Sequence, residues 1–486
     1  MVKGSKIDSL FLLSCVLLGL LGNFTFFKGP IGISYSIFIT VFYIIFFLRF
    51  KGQSFQHKQI STFLLFSIVT LTIMYAIFSN SVFNGINYLL IPFLILCHTI
   101  LTMGPRNIYW YKPSFFDFIK QKLIQTISCN YLHLKIIKRK MKRNLGNSAY
   151  VNAKKIAIGI LIAFPVVFIV INLLLLADAE FASLMSSIPE LLMNLNLTFL
   201  WDGVLIVLLS SLFYSFLMTL NRRTPLNQTS VNPIVSHQNW DSIIVATVLV
   251  SLNLIYLLFT IVQFQYFFSS GELTTNFTYA EYARRGFFEL LAVTLINYVT
   301  LTATLRFSKK DVSIFVKSQL TLIILFSGVM LVSAFIRLMM YEQAFGYTYS
   351  RIFAHAFMVY LLIIFAFTLI KVWLPRLSMV RFYLLFSLLF YISLNVVGID
   401  DFIITKNIER YETTEEIDIY YLSTLSHSAV PHLVELYNTD PSIDGLESLL
   451  EEKQDELGER DPWYSFNFSR ERARSALENV ELNKRD

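Results

Sequence analysis

"YAEYARRGFFELLAVTLINYVTLTATLRF" runs from Tyr279 to Phe307. After two arginines it becomes about twenty residues of nearly unbroken apolar character, marked only by Glu289 and Asn297. Twenty residues at 1.5 Å rise cross a hydrocarbon core of ~30 Å. The run 286–305 therefore reads as a membrane helix, and the same pattern recurs along the chain. Similar runs occupy 8–27, 30–48, 60–79, 82–103, 156–177, 203–220, 242–268, 314–338, 351–373 and 382–399. The segment 178–202, punctuated by Asp178, Glu180, Pro189, Glu190 and Asp202, reads as an interfacial helix instead. Only 15% of the 486 residues are charged and 55% are hydrophobic. Soluble domains carry about a quarter charged residues, so one large soluble core is excluded. The expected fold is all-α, a polytopic transmembrane bundle of about eleven spans.

Basic residues orient such an array, because short cytoplasmic loops are enriched in Lys and Arg. With the N-terminus inside, the inner loops hold 25 Lys and Arg and the opposite loops four: Lys28, Arg284, Arg285 and Arg351. Eleven spans then leave the C-terminus outside. Lys3 and Lys6 precede the first run without a small-x-small cleavage site, which reads as an uncleaved first helix. The chain divides into four spans over 1–103, a basic loop at 104–155, seven spans over 156–399 and a tail at 400–486. The implied location is the cell membrane, multi-pass.

The loop 104–155 has twelve basic residues against Asp117 alone. In it Phe115, Phe118, Ile119, Leu123 and Ile127 recur near helical spacing, with Lys120 and Lys122 set elsewhere on the wheel. A basic amphipathic helix of this kind is expected on anionic lipid headgroups. Nucleic acid is the rival polyanion, and the adjoining spans favour lipid. The tail carries 21 Asp and Glu against nine Lys and Arg, with apolar positions at helical spacing. It reads as a small acidic helical domain, open to a protein partner. Cys15, Cys97 and Cys129 stand far apart and read as packing thiols.

Six stretches resemble a bacterial membrane family catalogued as domain of unknown function 4173. They are "GPIGISYSIF" (29–38), "FSNSVFNGINYLLIPFLILCHTIL" (78–101), "YAEYARRGFFELLAVTLIN" (279–297), "SRIFAHAFMVYLL" (350–362), "NIERYETTEEIDIYYLSTLSHSAVPHL" (407–433) and "WYSFNFSRERARSAL" (463–477). The resemblance implies a polytopic protein of a bacterial cytoplasmic membrane with a C-terminal appendage. It assigns no catalytic residue.

Glu281, Arg285, Glu289 and Asn297 follow four-residue steps and form a polar stripe on one helix face. Topology brings Arg284, Arg285, Glu289, Arg337, Arg351 and His355 to the same outer level, with Glu342 and the Asp400–Asp401 pair nearby. One reading has these groups capping helices, pairing across the bundle and anchoring headgroups. The other makes them, with Asn297, a polar cleft that binds or moves an anionic or lipid-linked ligand through its arginines. A membrane transferase facing outward, with Glu289 as base, and a non-enzymatic scaffold are the alternatives. No Walker loop, GxSxG, HExxH or GxGxxG stands in a supporting context, so no cofactor is expected. His427, His432 and Glu435 are too few for a metal site.

Overall fold

The computed structural model describes residues 3–145, 152, 155, 159, 163, 167, 170, 197–222, 240–268, 287–307, 313–458, 460 and 462–480. The regular structure among these is helical, without a strand. Nine helices among the described residues are long and apolar enough to cross a membrane, making this a polytopic helical bundle.

The long helices are α1 (Lys3–Phe27), α2 (Ile33–Arg49), α3 (Lys58–Ile77), α4 (Ser81–Met103), α5 (Ser114–Leu145), α6 (Leu197–Leu220), α7 (Ser242–Phe268), α8 (Phe287–Phe307), α9 (Ile314–Phe345), α10 (Tyr349–Trp373) and α11 (Met379–Val396). The tail forms α12 (Ile399–Thr414), α13 (Ile419–Ser423), α14 (Val430–Thr439), α15 (Leu446–Leu457) and α16 (Phe468–Glu478). Ten of the apolar runs coincide with these helices, α2 being the shorter one at 17 residues. Most of the run 156–177 and most of 178–202 lie outside the described residues. The helix α9 extends to Phe345, seven residues past the end of its apolar run. Asn407 and Arg410 explain the extension, because they complete its last turn from another helix (below).

The chain forms two compact units that cut across the linear division into 1–103, 104–155, 156–399 and 400–486. The first contains 1–65, 93–225 and 462–465; the second contains 66–92, 226–461 and 466–486. The boundary within α4 falls at Pro92, whose missing N–H removes one backbone bond of that helix.

In the first unit α1 lies against α6 at close range. A Cβ on Gly19 would stand 2.6 Å from the Ile206 carbonyl oxygen, so only glycine fits there. At the end of the pair, Asp202 accepts from Lys28 Nζ at 2.5 Å and from Asn23 Nδ2 at 3.3 Å. The helix α5 also packs on α6, burying Phe115, Phe118, Ile119, Thr126 and Cys129. Lys122 is not on the exposed side of the wheel. It is 4% exposed, and its ammonium donates to the carbonyls of Thr219 and Arg222 at 2.9 and 2.8 Å. A buried cation here satisfies the orphan carbonyls at the C-terminus of α6 and complements its dipole. Leu123 and Ile127, read as sharing one apolar face with Phe115, Phe118 and Ile119, are instead exposed with Phe116, Ile124 and Tyr131 on a second apolar face.

In the second unit, α7, α8, α9 and α10 share one core through Leu249, Leu301, Ile323, Leu331 and Phe365. The tail helices have a core of their own, including Ile403, Leu433, Leu450 and Ala473. That core takes in Phe83 of α4, with Tyr349 and Phe353 of α10 packed against it. The acidic tail is thus joined to the ends of these long helices by shared apolar burial.

Candidate functional site

Two layers of polar groups lie at the tail-bearing end of the second unit, on opposite sides of α10. Tyr349 and Phe353 point one way; Arg351 and His355, offset by two residues, point the other.

On the first side Asp400 opens α12, only 3% exposed. One carboxylate oxygen accepts from Asn80 Nδ2 and Ser426 Oγ, both at 2.8 Å. The other accepts the Tyr349 hydroxyl. Asn80 is also the N-cap of α4, its Oδ1 accepting from the N–H groups of Val82 and Phe83 at 3.0 and 3.1 Å. Asn87 extends the layer, donating to Asn395 Oδ1 and accepting from Tyr391, each at 2.7 Å. Asn80, Asn84, Asn87, Asn395 and Asp400 line a cavity of about 10 Å³, room for no more than one water. The half-buried Tyr421 hydroxyl accepts from the Tyr349 N–H at 2.7 Å. Burial, and then the neighbouring Asp400 charge, push this phenol above its ordinary pKa.

On the second side Glu342 Oε2 lies 2.9 Å from His355 Nε2. Glu342 is 3% exposed, and the His355 ring meets Phe335 edge-on at 4.3 Å. Among the described residues, Glu342 Oε1 and His355 Nδ1 are buried without a hydrogen-bond partner. Two ionisable groups with spare bonding capacity in an apolar wall form a site that can take a ligand bearing both a donor and an acceptor.

The sequence candidates divide. His355 enters the pair with Glu342. Arg337 is buried on the same helix as Glu342. Five residues turn the helix by about 140°, so the two side chains leave α9 in different directions. Arg351 donates to the carbonyls of Phe345, at 2.9 Å, and Gly346, and lies over the Tyr341 ring at 4.5 Å. Arg410 takes the carbonyls of Gln343 and Ala344 at 3.0 and 2.8 Å. Together the two arginines cap the end of α9. Gly346 sits at φ +80°, where a Cβ would strike Asn407 Oδ1 at 2.5 Å. Asn297 is fully buried, accepting from Tyr256 at 2.5 Å and donating to Ser327 at 2.9 Å, and so clasps α7, α8 and α9. Glu289 is exposed in the first turn of α8. Arg284 and Arg285, and with them the Glu281–Arg285 part of the stripe, lie outside the described residues.

A family model described as Domain of unknown function (DUF4153) matches residues 65–436, more than three quarters of the chain. The chain belongs to that family. The resemblance to domain of unknown function 4173 is thereby corrected: DUF4153 is a different family, and the quoted stretches do not establish the other one. No curated protein and no solved structure matches the chain. The DUF4153 region holds Asn80, Arg337, Glu342, His355, Asp400 and Ser426, and so spans both layers.

The DUF4153 chain carries polar groups around Asp400 that reading for charge along the spans passed over. Asn80, Ser426 and Tyr349 are uncharged and sit outside or at the edge of apolar runs. The visible signals were the short polar runs "FSNS" at 78–81 and "LSHS" at 425–428, each abutting an apolar segment. Among the described residues no three His, Cys, Asp or Glu side chains gather as a metal site would require.

Proposed function

We propose that this integral membrane protein binds an anionic group together with a proton at the Glu342–His355 pair, on the outer side of the membrane. The observation that carries the reading is the buried pair with Glu342 Oε1 and His355 Nδ1 unpartnered among the described residues. Ionisable groups held at membrane level are costly and mark ligand or ion sites. With Nε2 engaged by Glu342, Nδ1 donates to an anion only when the ring is an imidazolium. Ligand and proton therefore arrive together, while Glu342 Oε1 accepts from a hydroxyl of the ligand. A phosphate monoester or a carboxylic acid offers both groups. Depth supports the reading: 28 residues of α9 separate Ile314 from Glu342, about 42 Å, which matches a bilayer with its headgroups at 40–45 Å.

The test is binding by the purified full chain in nanodiscs. Phosphatidic acid in the bilayer and inorganic phosphate in solution are the two probes, and they separate a lipid headgroup from a free anion. Binding of one should tighten on acidification, with that dependence lost in H355Q. If neither probe binds, or H355Q keeps the same pH dependence, the reading fails.

A second observation favours lipid at α5. Phe116, Leu123, Ile124, Ile127 and Tyr131 form an exposed apolar face, and the helix continues into "LKIIKRKMKRN" (134–144). We propose that this face lies in the inner leaflet, with the basic run on anionic headgroups. An environment-sensitive fluorophore at I127C should be quenched by brominated lipid, while one at S128C should not. Equal quenching at both would sink it.

A further inference from the structure

The turn between α3 and α4 carries a second constellation, independent of the Glu342–His355 reading. Ser79 sits two residues beyond the end of α3, outside any helix. Its Oγ lies 3.3 Å from His427 Nδ1. On the far side of the ring, His427 Nε2 stands 3.3 Å from Glu456 Oε1, close enough for an ion pair though not aligned as a hydrogen bond. Lys453 Nζ holds the other Glu456 oxygen at 2.9 Å. Residues far apart in sequence thus give a hydroxyl, an imidazole and a carboxylate in line. We propose that Ser79, His427 and Glu456 form a nucleophile, base and orienting acid for cleaving a carboxylic ester at the membrane surface.

The hydrogen-bond partners allow this assignment through one of two Ser79 hydroxyl rotamers. Ser469 Oγ donates to Asn467 Oδ1 at 3.0 Å, so its own hydrogen is committed. Ser79 therefore has two acceptors for its single hydroxyl hydrogen, Ser469 Oγ at 3.0 Å and His427 Nδ1 at 3.3 Å, and the proposed chemistry uses the rotamer that gives it to Nδ1. Asn467 also fixes the turn by donating to the carbonyls of Tyr75 and Phe78 at 2.7 and 3.0 Å. Burial, seconded by Arg470 and Lys453 and opposed by Glu456, holds His427 below its ordinary pKa, leaving the ring neutral and able to accept. The ring is used in the opposite sense from most serine hydrolases, with Nδ1 toward the serine. The roles survive the exchange, since either nitrogen can serve as base once the other faces a carboxylate.

In the reaction Ser79 Oγ attacks the ester carbonyl carbon while its proton passes to His427 Nδ1. The bond from that carbon to the alcohol oxygen breaks, and the imidazolium returns the proton to the departing alcohol. Water then attacks the acyl-serine, gives its proton to Nδ1, and releases the acid as Ser79 regains its hydrogen. The sum is ester plus water to acid plus alcohol, with no redox change. The Arg470 guanidinium, close enough for its charge to act on His427, favours the negative charge that develops on the carbonyl oxygen. An ester is the expected class because Ser79 follows directly on an apolar helix, at the level where lipid ester groups lie.

An alkyl fluorophosphonate, applied to the full chain in nanodiscs and followed by peptide mass spectrometry, tests the assignment. Wild type should label at Ser79. H427N sets an amide nitrogen near the position of Nδ1, keeping a donor for packing but no base, and labelling should fall about a hundredfold or more. E456Q alters an exposed carboxylate without removing buried volume and should slow labelling about tenfold. No label on Ser79, a label on Ser469 instead, or unchanged rates in both variants would overturn the proposal. None of these results bears on anion binding at Glu342–His355.

Discussion

Replacing Asp400 should separate the tail helices from the bundle ends they cap. Its carboxylate accepts from Asn80, Tyr349 and Ser426 in a site where the residue is 3% exposed. In D400A, Asn80 Nδ2 keeps its 3.0 Å contact to the Tyr349 oxygen, so two hydroxyl donors lose their acceptor outright. A buried donor left unmatched costs about 1–3 kcal/mol. The sum for D400A is about 3–5 kcal/mol, the range found when one partner of a buried charged network is removed. D400N keeps the volume but turns an NH₂ toward donors and gives up charge-assisted bonding, so about 1–3 kcal/mol is expected. Hydrogen exchange in α12 to α14 reads the loss directly, because a 3–5 kcal/mol drop speeds exchange through opening by roughly a hundred- to a few-thousand-fold. Core amides of α7 and α9 should change little. If α12 exchanges in D400A as slowly as in wild type, Asp400 does not hold the tail.

Three further outcomes follow from other places in the fold. G19A should cost about 1–3 kcal/mol in thermal unfolding, since the new Cβ meets the Ile206 carbonyl at 2.6 Å and the helices must part; adding S210A, which removes the clash with Ser210 Oγ, should recover only part of that. Burial pushes the Lys122 ammonium down to about 8, so between about pH 8 and 10.4 the unfolded chain binds more protons and this residue's contribution improves as pH rises; the stability of wild type relative to K122M should climb through that window, and a flat difference would refute it. His427 is held low by burial, so below its ordinary value of about 6.5 the unfolded chain gains a proton that the folded chain resists. Stability is lost on acidification through this group, and H427Q should flatten the acid side of the melting profile.

The spans were legible because a twenty-residue apolar run has few alternatives, and ten of them recur as helices within a few residues. What polar residues do inside such helices was less legible. Asn297 belongs by spacing to a stripe with Glu289, yet it turns to Tyr256 and Ser327 and joins three helices, while Glu289 faces outward. Spacing reports a face and is silent on what meets it. Lys122 shows the same limit from the charged side. Three donors on a flexible stem can finish a neighbouring helix, and nothing in the helical period of α5 announces the carbonyls of Thr219 and Arg222. The tail was read from its charge as an appendage, but its attachment lies in its apolar and uncharged polar residues.

That attachment follows from how helices end. Four carbonyls at each C-terminus and four N–H groups at each N-terminus lack helical partners, and where the end is covered they must be met by other groups. At this level of the second unit the partners come from the tail or are held by it. Asn467 takes carbonyls at the end of α3. Asn80 caps α4 while being held by Asp400 of α12. Arg410 of α12 takes the carbonyls of Gln343 and Ala344, and Asn407 pairs with both the N–H and the carbonyl of Tyr347 at 2.9 Å. The same turns that need capping also carry Ser79, Tyr349 and Glu342. A tail that folds onto these ends therefore fixes the geometry of both candidate sites, and its net acidity is incidental to that task.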